Sequence, residues 1–404
     1  MDLADVELES IKKVVLAEQN SYLTFCNPYE KVGDSIFFKL LRLENFSRYA
    51  TEYAYKNHLL EREIRNQMHS KWGHSYKKQF FEDRRLYNLS MQWSAIEDSY
   101  FKYPKVIWIG LLNTCNANCL FCSWFGFSLS KTLRNDYFKT NQKIATAQVE
   151  SILQYAGLAK AKCIFSGPGE PLLDERLESF VKLAKESGVK SIEIATNGIL
   201  LTPQKFLELV EAGVDSWVIG VHFTKETYAQ CEEGFFEIFK NRLIEIAKIV
   251  EQLNLSLSLC FGILYEEHRL LEMLEFYHSI LNLSGRIQIA CSHIQGQCVV
   301  QDFTKEIRAK QLRHTCSAPF SSLYVFPSGD VGHCELQRGY LGREDVEKFC
   351  IGNVYQQDLA QIWNGVAHKR FCQAHKAMDF TQQPTTLCSS CNAWWNELEN
   401  GLKG

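Results

Sequence analysis

An α/β fold built on parallel strands is the class this sequence predicts for its middle, and three observations predict it. Between residues 105 and about 292, short apolar runs rich in β-branched residues alternate with helix-length segments. Six strands alternating in this way with helices call for parallel pairing and right-handed crossovers. Segments rich in cysteine, glycine and polar residues fall directly after the strands, at the carboxyl ends where such folds gather their sites. Three parts are therefore expected: a mainly helical N-terminal extension over residues 1–104, the α/β part over 105–300, and a small α+β part over 301–404.

In the extension, residues 2–17 and 59–68 carry interleaved charged and apolar residues and read as helices. The charges Glu61, Arg62, Glu63 and Arg65 read as a solvated face, and Cys26 as a buried or free thiol. The strands of the α/β part are expected at Val106–Leu112, Lys162–Ser166, Ser191–Ala195, Ser216–Val221, Leu255–Phe261 and Arg286–Ala290. The helices are expected at Ala147–Leu158, Arg176–Glu186, Pro203–Ala212, Phe235–Leu253 and Glu267–Leu281. Pro203 suits a first helical turn, and Gly188 and Gly213 read as C-terminal caps. Further on, Ser322–Phe326, the turn Pro327-Ser328-Gly329-Asp330 and Val331–Leu336 read as a hairpin. Residues Asp358 to His375 read as one helix, followed by Cys388-x2-Cys391 and an aromatic-rich tail.

The totals exclude several classes. A hydrophobic content of 46% over 404 residues supplies a core and argues against disorder. A net charge of −3 leaves no overall electrostatic footprint for nucleic acid. No apolar run reaches membrane-spanning length, and the acidic start Met1-Asp2-Leu3-Ala4-Asp5 is not a secretory signal. Fifteen cysteines without such a signal point to metal or redox work in a reducing compartment, the cytoplasm.

Four constellations carry chemistry. Cys115, Cys119 and Cys122 stand at C-x3-C-x2-C spacing after the first strand. A four-iron cluster usually takes four thiolates, so three would leave one iron open. A zinc knuckle or buried thiols are the alternative reading. After the second strand, Gly167-Pro168-Gly169-Glu170 lets backbone approach a ligand and offers a carboxylate to an ammonium group. Thr196-Asn197-Gly198 makes a turn after the third strand and offers contacts to a ribose or a carboxylate. In the C-terminal part Cys316, Cys334, Cys388 and Cys391 make a set of four thiolates. Such a set holds zinc or a second four-iron cluster, and spacing alone favours zinc.

Taken together, these motifs resemble the radical S-adenosylmethionine (SAM) enzymes. The cysteine triplet with aromatic Phe121 before its third member resembles that family's signature. Gly167, Gly169 and Glu170 resemble its Gly-Gly-Glu motif, with Pro168 inserted, and Thr196 and Asn197 its third-strand turn. The six βα units resemble its partial (β/α)6 barrel. Cys316-x12-Gly329-x4-Cys334, Ile351-Gly352-Asn353 with Leu359, Ile362 and Trp363, and Cys388-x2-Cys391 resemble its SPASM/twitch extension. No cysteine follows Cys391, so the shortened twitch form is expected, and Cys350 and Cys372 are left over as thiols or as ligands of a partial cluster.

The resemblance implies a [4Fe-4S] cluster on Cys115, Cys119 and Cys122 that binds SAM, with Phe121, Gly167, Gly169, Glu170, Thr196 and Asn197 as its contacts. It implies an auxiliary [4Fe-4S] cluster on Cys316, Cys334, Cys388 and Cys391. One electron would cleave SAM, and the 5′-deoxyadenosyl radical would take a hydrogen atom from the substrate. Modification of a peptide or protein is the first reading. Oxidation or epimerisation of a small polyol or aminosugar is the second, and an iron–sulfur electron carrier without catalysis the third. Among the spare thiols Cys163, Cys231, Cys260, Cys291 and Cys298, the strand-end pair Cys260 and Cys291 are candidates to return hydrogen. His222 is a candidate to meet substrate, as is His293. A reductant such as flavodoxin or ferredoxin and a separate peptide-recognition protein are the expected partners.

Overall fold

A computed structural model describes residues 102–119, 122, 141–224, 227–265, 287–293, 318–334, 350–377, 379–381 and a few single positions including 269, 272, 276 and 388. The expectations for residues 1–101, for Phe121, Cys298, Cys316 and Cys391, and for most of the Glu267–Leu281 helix lie outside the described residues. The described residues form two compact units, one of residues 102–218 with 318–388, the other of residues 219–293.

In the first unit the chain runs β1 (Val106–Ile109), α1 (Thr146–Ala159), β2 (Lys162–Phe165), α2 (Leu177–Glu186), β3 (Ser191–Thr196) and α3 (Pro203–Ala212). It returns as α5 (Ala318–Ser321), β7 (Ser322–Val325), β8 (Asp330–Gly332), β9 (Gly352–Asn353), α6 (Leu359–Asn364) and α7 (Val366–Ala377). The strand order is β3-β2-β1-β7-β8-β9, an open sheet. β1 pairs in parallel with both β2 and β7, Val106 opposite Lys162 on one side and Ser322 on the other. The parallel α/β class expected from the sequence is what the chain adopts. The hairpin is also present, Val325 pairing antiparallel with Val331. In register, Ile109, Phe165, Ile194 and Val325 end level. The loops after β1, β2, β3 and β7 therefore leave from one edge.

The core lies between sheet and helices. Ile107, Ile109, Phe165, Ile192 and Ile194 are fully buried, with Val149, Leu153 and Ala156 of α1 and Phe180 and Val181 of α2. Each large apolar side chain so buried contributes about 1.5–3 kcal/mol. Local chemistry sets the helix ends. Thr202 caps α3, its Oγ1 accepting from Lys205 N–H at 3.1 Å with Pro203 in the first turn. Asp358 and Gln361 form a capping box at α6. Packing of α1 on α2 is close enough that a Cβ on Gly157 would stand 1.9 Å from the Ser187 carbonyl oxygen. Gly157→Ala is expected to cost about 1–3 kcal/mol. Thermal denaturation should show it as a lower Tm, and an unchanged Tm would refute this packing.

Two expectations are corrected. The helix expected over Asp358–His375 is two helices, because Gly365 is extended (φ −72°, ψ 165°) and its N–H closes α6 on the Ile362 carbonyl. The fifth strand starts later than Leu255. Asn254 is left-handed (φ 52°) and Leu255 N–H still bonds back to Val250 O, so residues 253–255 cap the preceding helix.

In the second unit, α4 (Phe235–Gln252) precedes β5 (Ser258–Tyr265), which pairs in parallel with β6 (Ile287–His293). β4 (Ser216–Phe223) leads the chain into this unit. No helix among the described residues is long and apolar enough to cross a membrane.

Candidate functional site

The loop after β1 is clamped at both ends. Leu112 forms a bridge with Lys143. Asn113 N–H donates to Gln142 O at 3.1 Å, and Gln142 N–H donates to Asn113 Oδ1 at 2.7 Å. Cys115, Cys119 and Cys122 sit on this loop, each half-buried, and Cys122 N–H closes a turn on Cys119 O at 3.1 Å. Cys122 packs against Tyr324 and Phe326 of the β7 strand end, with Trp108 of β1 alongside. Tyr324 lies near-parallel to Trp108 at 6.2 Å and 4.4 Å from Phe326. Sequence reading missed this aromatic floor because no periodicity says that β7 pairs with β1.

The turn after β2 presses onto the cysteine loop. Glu170 N–H donates to Thr114 O at 2.9 Å. A Cβ on Gly169 would stand 2.4 Å from Leu112 O and 2.6 Å from Thr114 O, so only glycine allows the approach. At Gly167 (φ +151°) the backbone conformation itself requires glycine. Gly169→Ala is expected to cost about 1–3 kcal/mol and to lift this turn off the loop. Thermal denaturation should show a lower Tm, and an unchanged Tm would refute the close approach.

Glu170 is 2% exposed. Its Oε1 accepts from Thr196 Oγ1 at 2.6 Å and from Leu172 N–H at 3.0 Å, and its Oε2 accepts from Asn197 N–H at 2.8 Å. Burial nevertheless pushes its carboxyl up to about 7, the three hydrogen bonds opposing. A carboxylate has about four acceptor positions, so one remains for a ligand cation. The side chain of Asn197 spans back to the first loop, Nδ2 lying 2.9 Å from Asn116 Oδ1 and 3.5 Å from Cys115 Sγ. Ala117 N–H also points at Cys115 Sγ, at 3.5 Å. Burial pushes the Cys115 thiol up to about 11; the Ala117 and Asn197 donors act against this, and Glu170 and Cys122 add to it. A metal that binds there must displace the thiol proton. The structure thus joins Cys115, Glu170, Thr196 and Asn197 in one network. Asn116 is its unforeseen member, hidden because an asparagine beside a cysteine carries no pattern of its own.

Three thiols on one short loop fit a four-iron cluster, which takes each cysteine through a different iron.

In the C-terminal part, Cys334 follows β8 half-buried and Cys388 is buried. Cys350 is half-buried, and Cys372 is buried with its Sγ 3.4 Å from Pro319 O and 3.2 Å from His368 Nε2. In the second unit His222 lies on β4, its backbone N–H donating to the Tyr228 hydroxyl at 3.1 Å, and burial holds its imidazole down at about 4. Cys260 is half-buried opposite Gln288 of β6, whereas Cys291 is opposite Ile263, at the other parity of the ladder. Cys163 is fully buried in β2, and Cys231 is half-buried.

Residues 109–276 match the radical SAM superfamily, and residues 316–392 match the SPASM iron–sulfur cluster-binding domain. Among curated proteins, GTP 3′,8-cyclase of Chlorobaculum tepidum is 28% identical over 168 residues, 41% of this chain and 46% of that protein. GTP 3′,8-cyclase of Aquifex aeolicus is 31% identical over 120 residues, 29% of this chain and 35% of that protein. The chain thus spans about a third to a half of the length of these relatives. Among solved structures, SuiB of Streptococcus suis bound to precursor peptide SuiA shares 14% identity at a TM-score of 0.41, over 87% of this chain and 86% of that one. The two matched domains imply a SAM-binding [4Fe-4S] cluster and an auxiliary iron–sulfur cluster.

Proposed function

The chain is a radical SAM superfamily protein with a C-terminal SPASM iron–sulfur cluster-binding domain, and from that premise we propose that it modifies a peptide or protein after abstracting a hydrogen atom from it. The observation that carries the SAM-cleaving part of this reading is the convergence of three strand ends on Cys115, where Glu170, Thr196 and Asn197 meet the cysteine loop. When bound, the reduced cluster would supply the one electron that breaks the S–C5′ bond of SAM, and the 5′-deoxyadenosyl fragment would take the hydrogen. In this reading Cys115, Cys119 and Cys122 hold the cluster. Glu170 receives the methionine ammonium on its remaining acceptor position, and Thr196, Leu172 and Asn197 keep that carboxylate from turning away. Cys316, Cys334, Cys388 and Cys391 hold the auxiliary cluster, and the SPASM match runs through all four. A flavodoxin or ferredoxin serves as reductant, and a separate protein presents the peptide.

Protein reconstituted without oxygen is expected to carry about eight irons and, with SAM and a reductant, to release 5′-deoxyadenosine. A precursor peptide encoded beside the gene should then change mass. About four irons, or stoichiometric zinc, would overturn the auxiliary cluster. Turnover on a polyol or aminosugar with no change in the peptide would overturn the substrate class.

A further inference from the structure

Asn197 has a smaller donor inventory than its position suggests. A primary amide has two N–H bonds and one carbonyl oxygen. The oxygen of Asn197 accepts from Ile199 N–H at 2.9 Å. Of the two N–H bonds, one is matched by Asn116 Oδ1 at 2.9 Å and the other by Cys115 Sγ at 3.5 Å. The larger sulfur atom makes 3.5 Å an ordinary hydrogen-bonding distance. The backbone N–H of Asn197 is taken by Glu170 Oε2 at 2.8 Å. No N–H of this residue is left to meet a ribose hydroxyl.

We propose that Asn197 is a positioning residue of the cluster, its amide donating to the Cys115 sulfur and setting the reduction potential, and that it donates no hydrogen bond to SAM. The inference rests on the cluster reading of the Cys115–Cys122 loop. Hydrogen bonds to ligand sulfurs are among the protein's levers on iron–sulfur potentials. An N–H aimed at a thiolate favours negative charge there. The reduced cluster carries one electron more than the oxidised one, so the donor stabilises the reduced form and raises the potential. Asn116 holds the second N–H and so fixes the plane of the amide. Thr196-Asn197-Gly198 supplies the rest: Gly198 N–H bonds back to Thr196 Oγ1 at 2.9 Å, fixing the turn that aims the amide.

The test is an EPR-monitored redox titration of the fully reconstituted chain, wild type against Asn197→Ala. The cluster in question is identified as the one whose signal changes on adding SAM. Its potential is expected to fall, by about 59 mV if the reduction equilibrium shifts tenfold. The auxiliary cluster's potential should stay put, and SAM affinity should change less than about threefold, since both amide N–H bonds are spent within the protein. An unchanged potential with SAM affinity weakened more than about tenfold would overturn the inference and make Asn197 a SAM ligand. If the alanine variant takes up less iron, the same titration on Asn197→Ser, whose side chain is too short to reach the sulfur, decides on the same criteria. Wild-type iron content separates the two levels. A wild type that binds no cluster at these cysteines removes the underlying reading and this inference with it. A loaded wild type and variant of equal potential removes this inference alone.

Discussion

Replacing Cys115, Cys119 and Cys122 together by alanine is expected to abolish release of 5′-deoxyadenosine while the fold survives. Each change removes a small side chain that is half-buried at most, and none sits in the fully buried sheet core of Ile107, Ile109, Phe165 and Ile194. The largest packing loss falls at Cys122, which rests on Tyr324 and Phe326. Removing one small sulfur there costs on the order of 1 kcal/mol. The chemical loss is of another order, because the change removes all three thiolates that this loop offers to iron. Iron should fall from about eight to about four per chain, the remainder on the auxiliary site. Iron and sulfide analysis, paired with chromatography of the nucleoside product, reads both. Continued SAM cleavage by the triple variant would remove these cysteines from the active site. Loss of all eight irons with an altered melting profile would mean that the loop also supports the C-terminal part.

Local pattern carried most of the fold. The strands at β1 to β3 and the helices at α1 to α3 follow from alternating apolar runs and end signals, and their bounds shift by few residues. What pattern did not carry is pairing between distant segments. Val106 lies beside Lys162 and equally beside Ser322, far along the chain. That second pairing seats Tyr324 and Phe326 under Cys122. The helix over Asp358–His375 failed for a local reason that competes with periodicity. The apolar spacing of Leu359, Ile362, Trp363 and Phe371 runs on, but Gly365 lets the backbone extend between the two halves. At the site, the cysteine spacing and Glu170 were legible because their residue types are chemically unusual at those places. The amide of Asn197 was not legible, since whether it faces a ligand or Cys115 depends on hydrogen bonds that only the folded turn defines.

Substituting Glu170 by glutamine is expected to weaken SAM binding and to remove a pH dependence at the same time. Both effects come from one carboxyl that is 2% exposed and titrates at about 7, above its ordinary 4.5. Burial disfavours its charge more than Thr196, Asn197 and Leu172 favour it. Below 4.5 the folded and unfolded chains both hold the proton. Between 4.5 and 7 the folded protein keeps a proton that the unfolded chain has released. Stability of the SAM-free protein therefore falls as pH rises through that window and levels off above it. The full change is roughly 3 kcal/mol at most. An ammonium ligand reverses the preference, because it favours the carboxylate. Binding of SAM below pH 7 must then expel the proton, and affinity should drop by up to about tenfold per pH unit. The glutamine variant has no proton to lose, so both profiles should flatten. It offers a neutral amide to the ammonium and sets one N–H against a backbone or hydroxyl donor, a loss of about 1.5–3 kcal/mol, or roughly ten- to a hundredfold in affinity. Calorimetric titration with SAM from pH 6 to 8, beside urea denaturation over the same range, measures the two profiles. A variant that binds SAM as tightly as wild type, with the same slope in pH, would take Glu170 out of the site.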